Sequence, residues 1–201
     1  THTADESAGK KEPLSKKEKE RMGAIILVSA LSVIFWLFYY QQDLALVIYM
    51  TDYVKMSIGS FDIPPSWVTT TWNGLLCVVL GGVMAAIWKK LAERPQGDMN
   101  MFKKVALGFR FVGLACGVMV VCELVRGVGA DVSVKASVFW PFLFVTVITI
   151  GEMCFSPLRN AFVSKYAPKK YLSLLMGVIA ISTFGANKLS PFVQAFIEKF
   201  D

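Results

Sequence analysis

The sequence predicts an all-α, polytopic membrane protein built as a bundle of five transmembrane helices. Of its 201 residues, 55% are hydrophobic, and the mean hydropathy of +0.52 is too high for a soluble domain of this size. Apolar stretches of about twenty residues recur along most of the chain, and about twenty helical residues span a ~30 Å hydrocarbon core. The positions of the basic residues also alternate along the chain in a way that indicates membrane topology.

Residues 1–22 form a polar segment that precedes the first predicted span. The pattern Ser15-Lys16-Lys17-Glu18 has the form of a capping box, in which a serine N-cap is followed three residues later by glutamate. We therefore expect a polar tail that winds into the first helix. The sequence begins at Thr1 without an initiator methionine or a signal-peptide pattern, so we expect a processed chain or an excised piece.

Residues 23–201 form the predicted transmembrane bundle. Their approximate bounds are 23–50, 64–88, 105–125, 136–158 and 171–197. The first continues past Asp43, which predicts a long, tilted helix. The second begins at an extended turn around Pro64 and Pro65. The third and fourth contain few charges, and the fifth is interrupted by Lys188 and Pro191.

The basic residues fix the expected orientation of these spans. Segments 1–22, 89–104 and 159–170 together hold fifteen lysines and arginines, against four in the segments on the other side. The positive-inside rule therefore predicts a cytoplasmic N-terminal segment and an external C-terminal end. With a sixth span returning to the cytoplasm, the bundle would become a six-helix half of the kind that builds major-facilitator transporters.

Small residues predict close helix packing within this bundle. Gly113 and Gly117 form a small-xxx-small motif in the third span, and Gly81 and Gly82 with Ala85 give the second span a smooth face. Such residues let helix backbones approach closely in lipid.

Several classes of function find no support in the sequence. The cysteines all lie in apolar runs, and the one histidine, His2, lies in the polar head, so neither a metal site nor a disulfide is expected. Most basic residues lie between the apolar spans instead of forming a surface patch that could bind nucleic acid. Neither a phosphate-binding loop nor a nucleophile–base pair is present, so we expect no enzyme activity and no cofactor.

Glu152 is the most informative residue because it lies within an apolar span. A carboxylate in that position costs about 2.5–3.5 kcal/mol on insertion scales, so it is expected to be paired, protonated or in contact with water. One interpretation is a gate ion pair or a proton site; the other is a structural pair with Arg110 at a similar depth. Ser156 follows on the same helix face, and Pro157 predicts a hinge.

A second group of polar and aromatic residues lies in the outer parts of the first two spans. In the first span the group consists of Trp36, Tyr39, Tyr40, Gln41 and Gln42, and in the second of Trp72 and Asn73. Aromatic residues at this depth are common in interfacial belts, whereas amides in lipid require partners or a water-lined cavity.

The segment from Gly151 to Pro168 resembles the tenth-helix signature of the proton-coupled oligopeptide transporter family of the major facilitator superfamily. That signature, G-E-L-x-x-S-P-x-G-L followed by K-L-A-P, is matched in register at Gly151, Glu152, Ser156, Pro157, Lys165, Ala167 and Pro168. The segment from Phe35 to Gln41 is similar to the seventh-helix motif F-W-x-x-F-E-Q, and the segment from Ile63 to Trp67 to the start of the eighth helix. The resemblance implies that the five spans are helices seven to eleven of a C-terminal half.

The resemblance assigns roles to particular residues. It implies that Glu152 forms a cytoplasmic-gate ion pair and recognises the peptide amino terminus, with Ser156 in the same cavity and Trp36 in the pocket wall. It also implies a partner N-terminal half, a small peptide substrate and the proton as coupling ion. The apolar spans predict a lipid bilayer as surroundings, and an inner or plasma membrane is the default expectation.

The sequence also departs from the family pattern in the pocket. Tyr40 replaces the seventh-helix acid, Asn73 is offset from the eighth-helix asparagine, and Arg159 and Asn160 replace the G-L pair. The expected function is proton-coupled import of di- or tripeptides or peptide-like solutes. A divergent member that moves another small solute, and a non-transporting sensor or assembly protein, are the alternatives.

Overall fold

The structure, a computed structural model, describes residues 15–199. His2 and most of the predicted polar segment lie outside the described residues. The described helices are α1 (Lys16–Tyr39), α2 (Ala45–Tyr53), α3 (Asn73–Ala92), α4 (Met101–Arg126), α5 (Phe139–Tyr166) and α6 (Leu172–Ile197). The predicted all-α membrane fold is confirmed.

Helix α1 begins with the capping box that the sequence predicts. The Ser15 side chain accepts a hydrogen bond from the Glu18 backbone, and the Glu18 carboxylate accepts one from the Ser15 backbone. These contacts satisfy N–H groups that the first helical turn leaves without partners. The helix therefore starts at Lys16, before the predicted start of the span.

The first membrane span consists of two helices in sequence. Helix α1 tightens into a 3₁₀ turn at Tyr40–Gln42, and the chain then re-forms a helix as α2. A similar change occurs before α3, where Trp67–Trp72 form a π-helical stretch. Such local changes of helix type re-aim side chains and are frequent at functional sites.

Short strands lie in the two loops that connect α2 to α3 and α4 to α5. Strand β1 (Val54–Lys55) pairs in parallel with β4 (Ala136–Ser137). Strands β2 (Ser57–Ile58) and β3 (Phe61–Asp62) form an antiparallel hairpin. The β1–β4 pairing ties the two loops of the predicted external side together, and the hairpin lies within the first of them.

Helices α4 and α5 approach each other most closely at a pair of glycines. A Cβ atom added at Gly108 would lie 3.2 Å from the Gly151 carbonyl oxygen, and one added at Gly151 would lie 3.0 Å from the Gly108 carbonyl oxygen. By contrast, an added Cβ at Gly113, Gly117 or Gly81 would meet no atom of the described residues within 4 Å. Within residues 15–199 the predicted packing role of the Gly113–Gly117 motif is therefore not found, because that face of α4 points away from the other described helices.

Stacked aromatic rings fill the core beside these glycines. The rings of Phe35 and Phe155 stack with centroids 4.4 Å apart, and Phe109 meets Phe35 edge-on at 5.7 Å. Phe35 and Phe155 are fully buried. The absence of Cβ atoms at the glycines lets α4 and α5 come close enough for these rings to interlock.

An ion pair at the predicted cytoplasmic end joins the loop between α3 and α4 to the first turn of α4. The Lys104 ammonium donates to Asp98 at 2.7 Å and lies 4.7 Å from the Trp88 ring centroid. The hydrogen bond from Lys104 holds the pKa of Asp98 below its ordinary value. The pair anchors the start of α4.

Among the described residues, five helical stretches are long and apolar enough to cross a membrane, judged by length and composition. Helix α5 continues to Tyr166, past the predicted end of its span, because apolar and aromatic residues still pack along it. This extension places Arg159 inside a helix, where only 6% of its surface is exposed, instead of in a cytoplasmic loop.

Candidate functional site

The candidate site lies where α1, α3 and α5 meet around Glu152. The Tyr39 hydroxyl donates a hydrogen bond to Glu152 Oε2 at 2.6 Å. Asn73 Nδ2 in turn donates to the Tyr39 oxygen at 3.1 Å. The structure thus connects Asn73 and Glu152, two of the predicted site residues, through Tyr39, a member of the predicted polar-aromatic group that was given no role in the site.

The Asn73 side chain is held in place by a second contact to α5. Its Nδ2 also donates to Thr149 Oγ1 at 2.8 Å, and Thr149 donates to the Val145 carbonyl oxygen at 2.6 Å. One turn away, Trp72 Nε1 donates to Thr146 Oγ1 at 3.0 Å. These paired contacts fix the start of α3 against α5, so the amide faces Tyr39 with a set orientation.

Glu152 has polar partners but no cationic partner among the described residues. The Cys77 thiol lies 3.9 Å from Oε2, a weak contact, and the strong contact is the one from Tyr39. Arg110 is exposed on α4, beside Leu31 and Phe109, and forms no ion pair with Glu152 within residues 15–199. The suggested structural pair between Glu152 and Arg110 is therefore wrong. The half-buried carboxylate remains available to a cation from elsewhere.

Ser156 and Pro157 lie on α5, on the predicted cytoplasmic side of Glu152. Ser156 is half-buried on the same side of the helix as Glu152, and no hydrogen bond joins the two side chains in the described part of the chain. Helix α5 runs through Pro157 without interruption from Phe139 to Tyr166. The proline still removes one backbone donor at this point.

Trp36 and Tyr40 form an aromatic wall beside this face of α5. Their rings stack with centroids 5.5 Å apart, and Trp36 is 7% exposed. The Arg159 guanidinium lies 5.7 Å from the Trp36 ring centroid, within the range of a cation–π contact. Trp36 and Tyr40 are therefore in contact with each other, and beside them lies Arg159, which the pattern of basic residues had placed in a cytoplasmic loop.

Gln41 faces a different neighbour from the other predicted residues. Its Nε2 donates to Ser190 Oγ on α6 at 3.0 Å and to the Leu37 carbonyl oxygen at 3.3 Å. It also borders an apolar cavity of about 370 Å³ with Phe38, Tyr49 and other residues. Gln41 thus ties the first span to the last and does not join the Glu152 network.

Signals for the overlooked residues exist in the sequence. Thr149 precedes Glu152 by three residues and Arg159 follows it by seven, so all three share one side of a helix. Tyr39 follows Trp36 by three residues and lies on the same side of α1 for the same reason. Helical spacing from Glu152 therefore finds Thr149 and Arg159, and helical spacing from Trp36 finds Tyr39.

The side chains of the described residues contain no group of three or more potential metal ligands among histidine, cysteine, aspartate and glutamate. The four thiols are free, with Cys122 and Cys154 buried. The polar chemistry of the site consists of one carboxylate, hydroxyl groups, amides and one guanidinium.

The fold and the site together define a polytopic membrane protein, a helix bundle of the transporter type with polar groups inside the apolar spans. A model of the POT family matches residues 7–201. The chain therefore belongs to the POT family.

Over the aligned residues, curated relatives are about one-quarter identical to this chain. It is 26% identical over 184 residues to the uncharacterized transporter YclF of Bacillus subtilis (strain 168), covering 92% of this chain and 36% of the relative. It is 26% identical over 189 residues to the di-/tripeptide transporter of Lactococcus lactis subsp. cremoris, covering 90% of this chain and 36% of the relative. The chain therefore spans about a third of the length of these relatives.

Solved structures share the fold. A crystal structure of a POT family transporter in complex with 5-aminolevulinic acid superposes with a TM-score of 0.81 at 23% identity, covering 92% of this chain and 37% of the other. The peptide transporter POT in complex with sulfate superposes with a TM-score of 0.76 at 24% identity, covering 90% and 35% of the two chains. The arrangement of helices is thus that of one part of a POT transporter.

Proposed function

We propose that this chain is part of a secondary active transporter that imports di- or tripeptides, or peptide-like solutes, together with protons by alternating access. Membership of the POT family supports this function, as do the names of relatives such as the di-/tripeptide transporter of Lactococcus lactis. The relatives reported above are transporters, which favours transport over an enzymatic role. The proton is the coupling ion, and no other cofactor is invoked.

The single observation that carries the proposal is the state of Glu152. Its carboxylate is half-buried in a membrane span, held by the Tyr39 hydroxyl at 2.6 Å, and has no cation beside it in the described part of the chain. An intramembrane carboxylate that is oriented but not neutralised favours a cation or a proton as its partner. A proton-coupled transporter needs a group of this kind, because the group that binds the proton has to change its charge during the transport cycle.

Glu152 then links the solute to the proton. When the carboxylate is ionised, it attracts an ammonium group, either the amino terminus of the solute or a lysine of the partner N-terminal half. When it takes up a proton, that attraction is lost and the ammonium group is released. Ser156 adds a hydroxyl to the same cavity, Trp36 and Tyr40 provide its aromatic wall, and Pro157 allows α5 to bend as the cavity opens.

The remaining part of a full-length transporter supplies the other wall of the cavity. We place the protein in a cell membrane, an inner or plasma membrane, with the segment before α1 in the cytoplasm. The excess of basic residues on the side of Lys89, Lys103 and Lys165 supports this orientation.

A related function, transport of a different small solute, has one specific observation in its favour. The pocket contains Tyr40 where the family motif has an acid, and the buried Arg159 lies beside it. A neighbouring structure of this fold is a complex with 5-aminolevulinic acid. Competition between labelled dipeptide and single amino acids for uptake separates the two functions.

The test of the proposed function is uptake by a Glu152→Gln variant of the full-length protein. Glutamine keeps the size of the side chain and removes its negative charge, so we expect concentrative peptide uptake to be lost while the protein reaches the membrane. Glu93→Gln, at the exposed end of α3, is the matched control and retains uptake. Unchanged uptake by Glu152→Gln would contradict the proposal, and saturable binding without accumulation by the unaltered protein would instead indicate a sensor.

A further inference from the structure

Within the described part of the chain, the guanidinium of Arg159 is a buried intramembrane cation without an acidic partner. Only 6% of its surface is exposed, and the ion pairs found among residues 15–199 involve Lys104 and Arg126 instead. Arg159 Nη1 donates a hydrogen bond to Thr183 Oγ1 on α6, at 3.0 Å. Burying a charge in this way is costly unless an opposite charge reaches it.

Two N–H donors beside each other lack acceptors at this place. Arg159 Nε and Trp36 Nε1 are both buried and have no hydrogen-bond partner in the described part of the chain. The two side chains face each other, with the guanidinium carbon 5.7 Å from the Trp36 ring centroid. Neither nitrogen can accept a hydrogen bond, so only an acceptor satisfies the pair, and a charged acceptor satisfies it best.

Arg159 and Glu152 lie on one side of α5 with opposite charges. Seven residues separate them, which is two turns and roughly 10 Å along a helix axis. An extended dipeptide spans roughly 7 Å, and a charged hydrogen bond adds about 2.8 Å at each end. With both hydrogen bonds this length is about 13 Å, slightly more than the axial spacing, so a short zwitterion bridges Glu152 and Arg159 when their long side chains tilt apart along the wall that Trp36 forms.

We propose that Arg159, with Trp36 Nε1, binds the carboxylate of the transported solute, so that Glu152 and Arg159 hold its two ends on the same helix. This inference rests on the proposed function and specifies which end of the solute each residue takes. Thr183 positions the guanidinium from α6, which couples binding of the carboxylate to the last described helix.

The experiment compares uptake of a labelled dipeptide with uptake of the same dipeptide amidated at its carboxyl end. Both forms keep the amino group for Glu152, and only the free acid offers a carboxylate to Arg159. In the full-length protein we expect Arg159→Gln to lower kcat/KM for the free acid by roughly tenfold or more, since a charged hydrogen bond is lost. The value for the amide is expected to change by less than about twofold, and Arg159→Lys is expected to restore part of the preference for the acid.

Arg110→Gln is the matched control, because it removes a second intramembrane arginine that is exposed on α4. This variant is expected to retain the preference of the unaltered protein for the free acid. Uptake of both forms lowered equally by Arg159→Gln, in protein present in the membrane at normal amounts, would overturn the inference and assign Arg159 to a carboxylate of the protein itself. Unchanged uptake of the acid would also overturn it.

Thermal stabilisation of the purified full-length protein gives a second readout that does not depend on transport. The free acid is expected to raise the Tm of the unaltered protein more than the amide does, and this difference disappears in Arg159→Gln. If the unaltered protein neither takes up nor is stabilised by either form, the proposed function itself fails and this inference with it. If it uses both forms equally well, only the inference fails.

Discussion

The Tyr39 hydroxyl connects the candidate proton site to the start of α3. It donates to Glu152 at 2.6 Å and accepts a hydrogen bond from Asn73 at 3.1 Å. A hydrogen bond to a charged group contributes about 1.5–3 kcal/mol, so this contact sets the direction of the carboxylate before a cation arrives. A group that is already oriented needs less ordering when its ligand binds.

Tyr39→Phe is expected to lower kcat/KM for peptide uptake by roughly tenfold, because the ring remains while the donor to Glu152 is lost. Initial uptake rates over a range of peptide concentrations measure this effect in the full-length protein. Tyr53→Phe is the control: its ring packs 4.7 Å from the Arg126 guanidinium carbon, and phenylalanine preserves that contact. Equal kcat/KM for Tyr39→Phe and the unaltered protein would contradict a positioning role for the hydroxyl.

Glu152 could be found from the sequence because a single carboxylate in an apolar span is costly and therefore conspicuous. Its partner Tyr39 could not be chosen in the same way. Trp36, Tyr39 and Tyr40 are adjacent aromatic residues, and which of them meets Glu152 depends on how α1 is rotated against α5. Hydropathy along one chain segment contains no information about that rotation.

Arg159 shows a second limit on what can be predicted from the sequence, which is the position where a helix ends. A basic residue just after an apolar span has the same pattern whether it begins a cytoplasmic loop or stays inside a longer helix. The end of the helix is set by contacts made after folding, here with Thr183 on α6 and Trp36 on α1. The resemblance to the family motif did identify the position as unusual, since arginine stands where the motif has glycine.

The two sides of helix α5 contact different neighbouring helices. One side carries Glu152 and Arg159 toward α1, and the other presents Gly151 to Gly108 of α4. The close approach at these glycines holds α5 at a fixed distance from α4. The polar residues are therefore carried by a helix that is tightly supported from behind.

Gly108→Ala is expected to destabilise the protein, because the new Cβ atom would lie 3.2 Å from the Gly151 carbonyl oxygen and from Phe155 Cβ. Overpacking of this kind costs about 1–3 kcal/mol. Gly113→Ala on the same helix is the matched control, since its Cβ would meet no atom within 4 Å and alanine favours the helix. Thermal unfolding of the two purified full-length variants measures the difference, and a Tm of Gly108→Ala at or above that of Gly113→Ala would contradict the packing account.

The spans themselves follow from hydropathy, because lipid requires every backbone polar group of a span to be satisfied within a helix. The glycine contact does not follow in this way. Gly108 and Gly113 are both small residues in one apolar helix, and only the position of α5 decides which of them meets a neighbour. The short 3₁₀ and π-helical stretches near Tyr40 and Trp67 were likewise absent from the predicted helices.

The described chain has the fold of one part of a POT transporter, with a polar site on the helices that face each other. Five helical stretches are long enough to span a membrane, and the chain covers about a third of its curated relatives. The proposed solute cavity, with Glu152, Trp36 and Arg159 on one side, takes its second wall from the rest of the full-length protein. Its activity therefore has to be measured in that longer protein.

Accumulation of a labelled dipeptide, with and without an inward proton gradient, tests the proposed function most directly. Vesicles containing the full-length protein are expected to concentrate the peptide when the gradient is present and only to equilibrate it after an uncoupler is added. That result is expected even though Tyr40 replaces the acid of the seventh-helix motif, because Glu152 remains to take up the proton. Accumulation that is unaffected by the gradient, or absent in folded protein, would contradict proton-coupled peptide transport by this site.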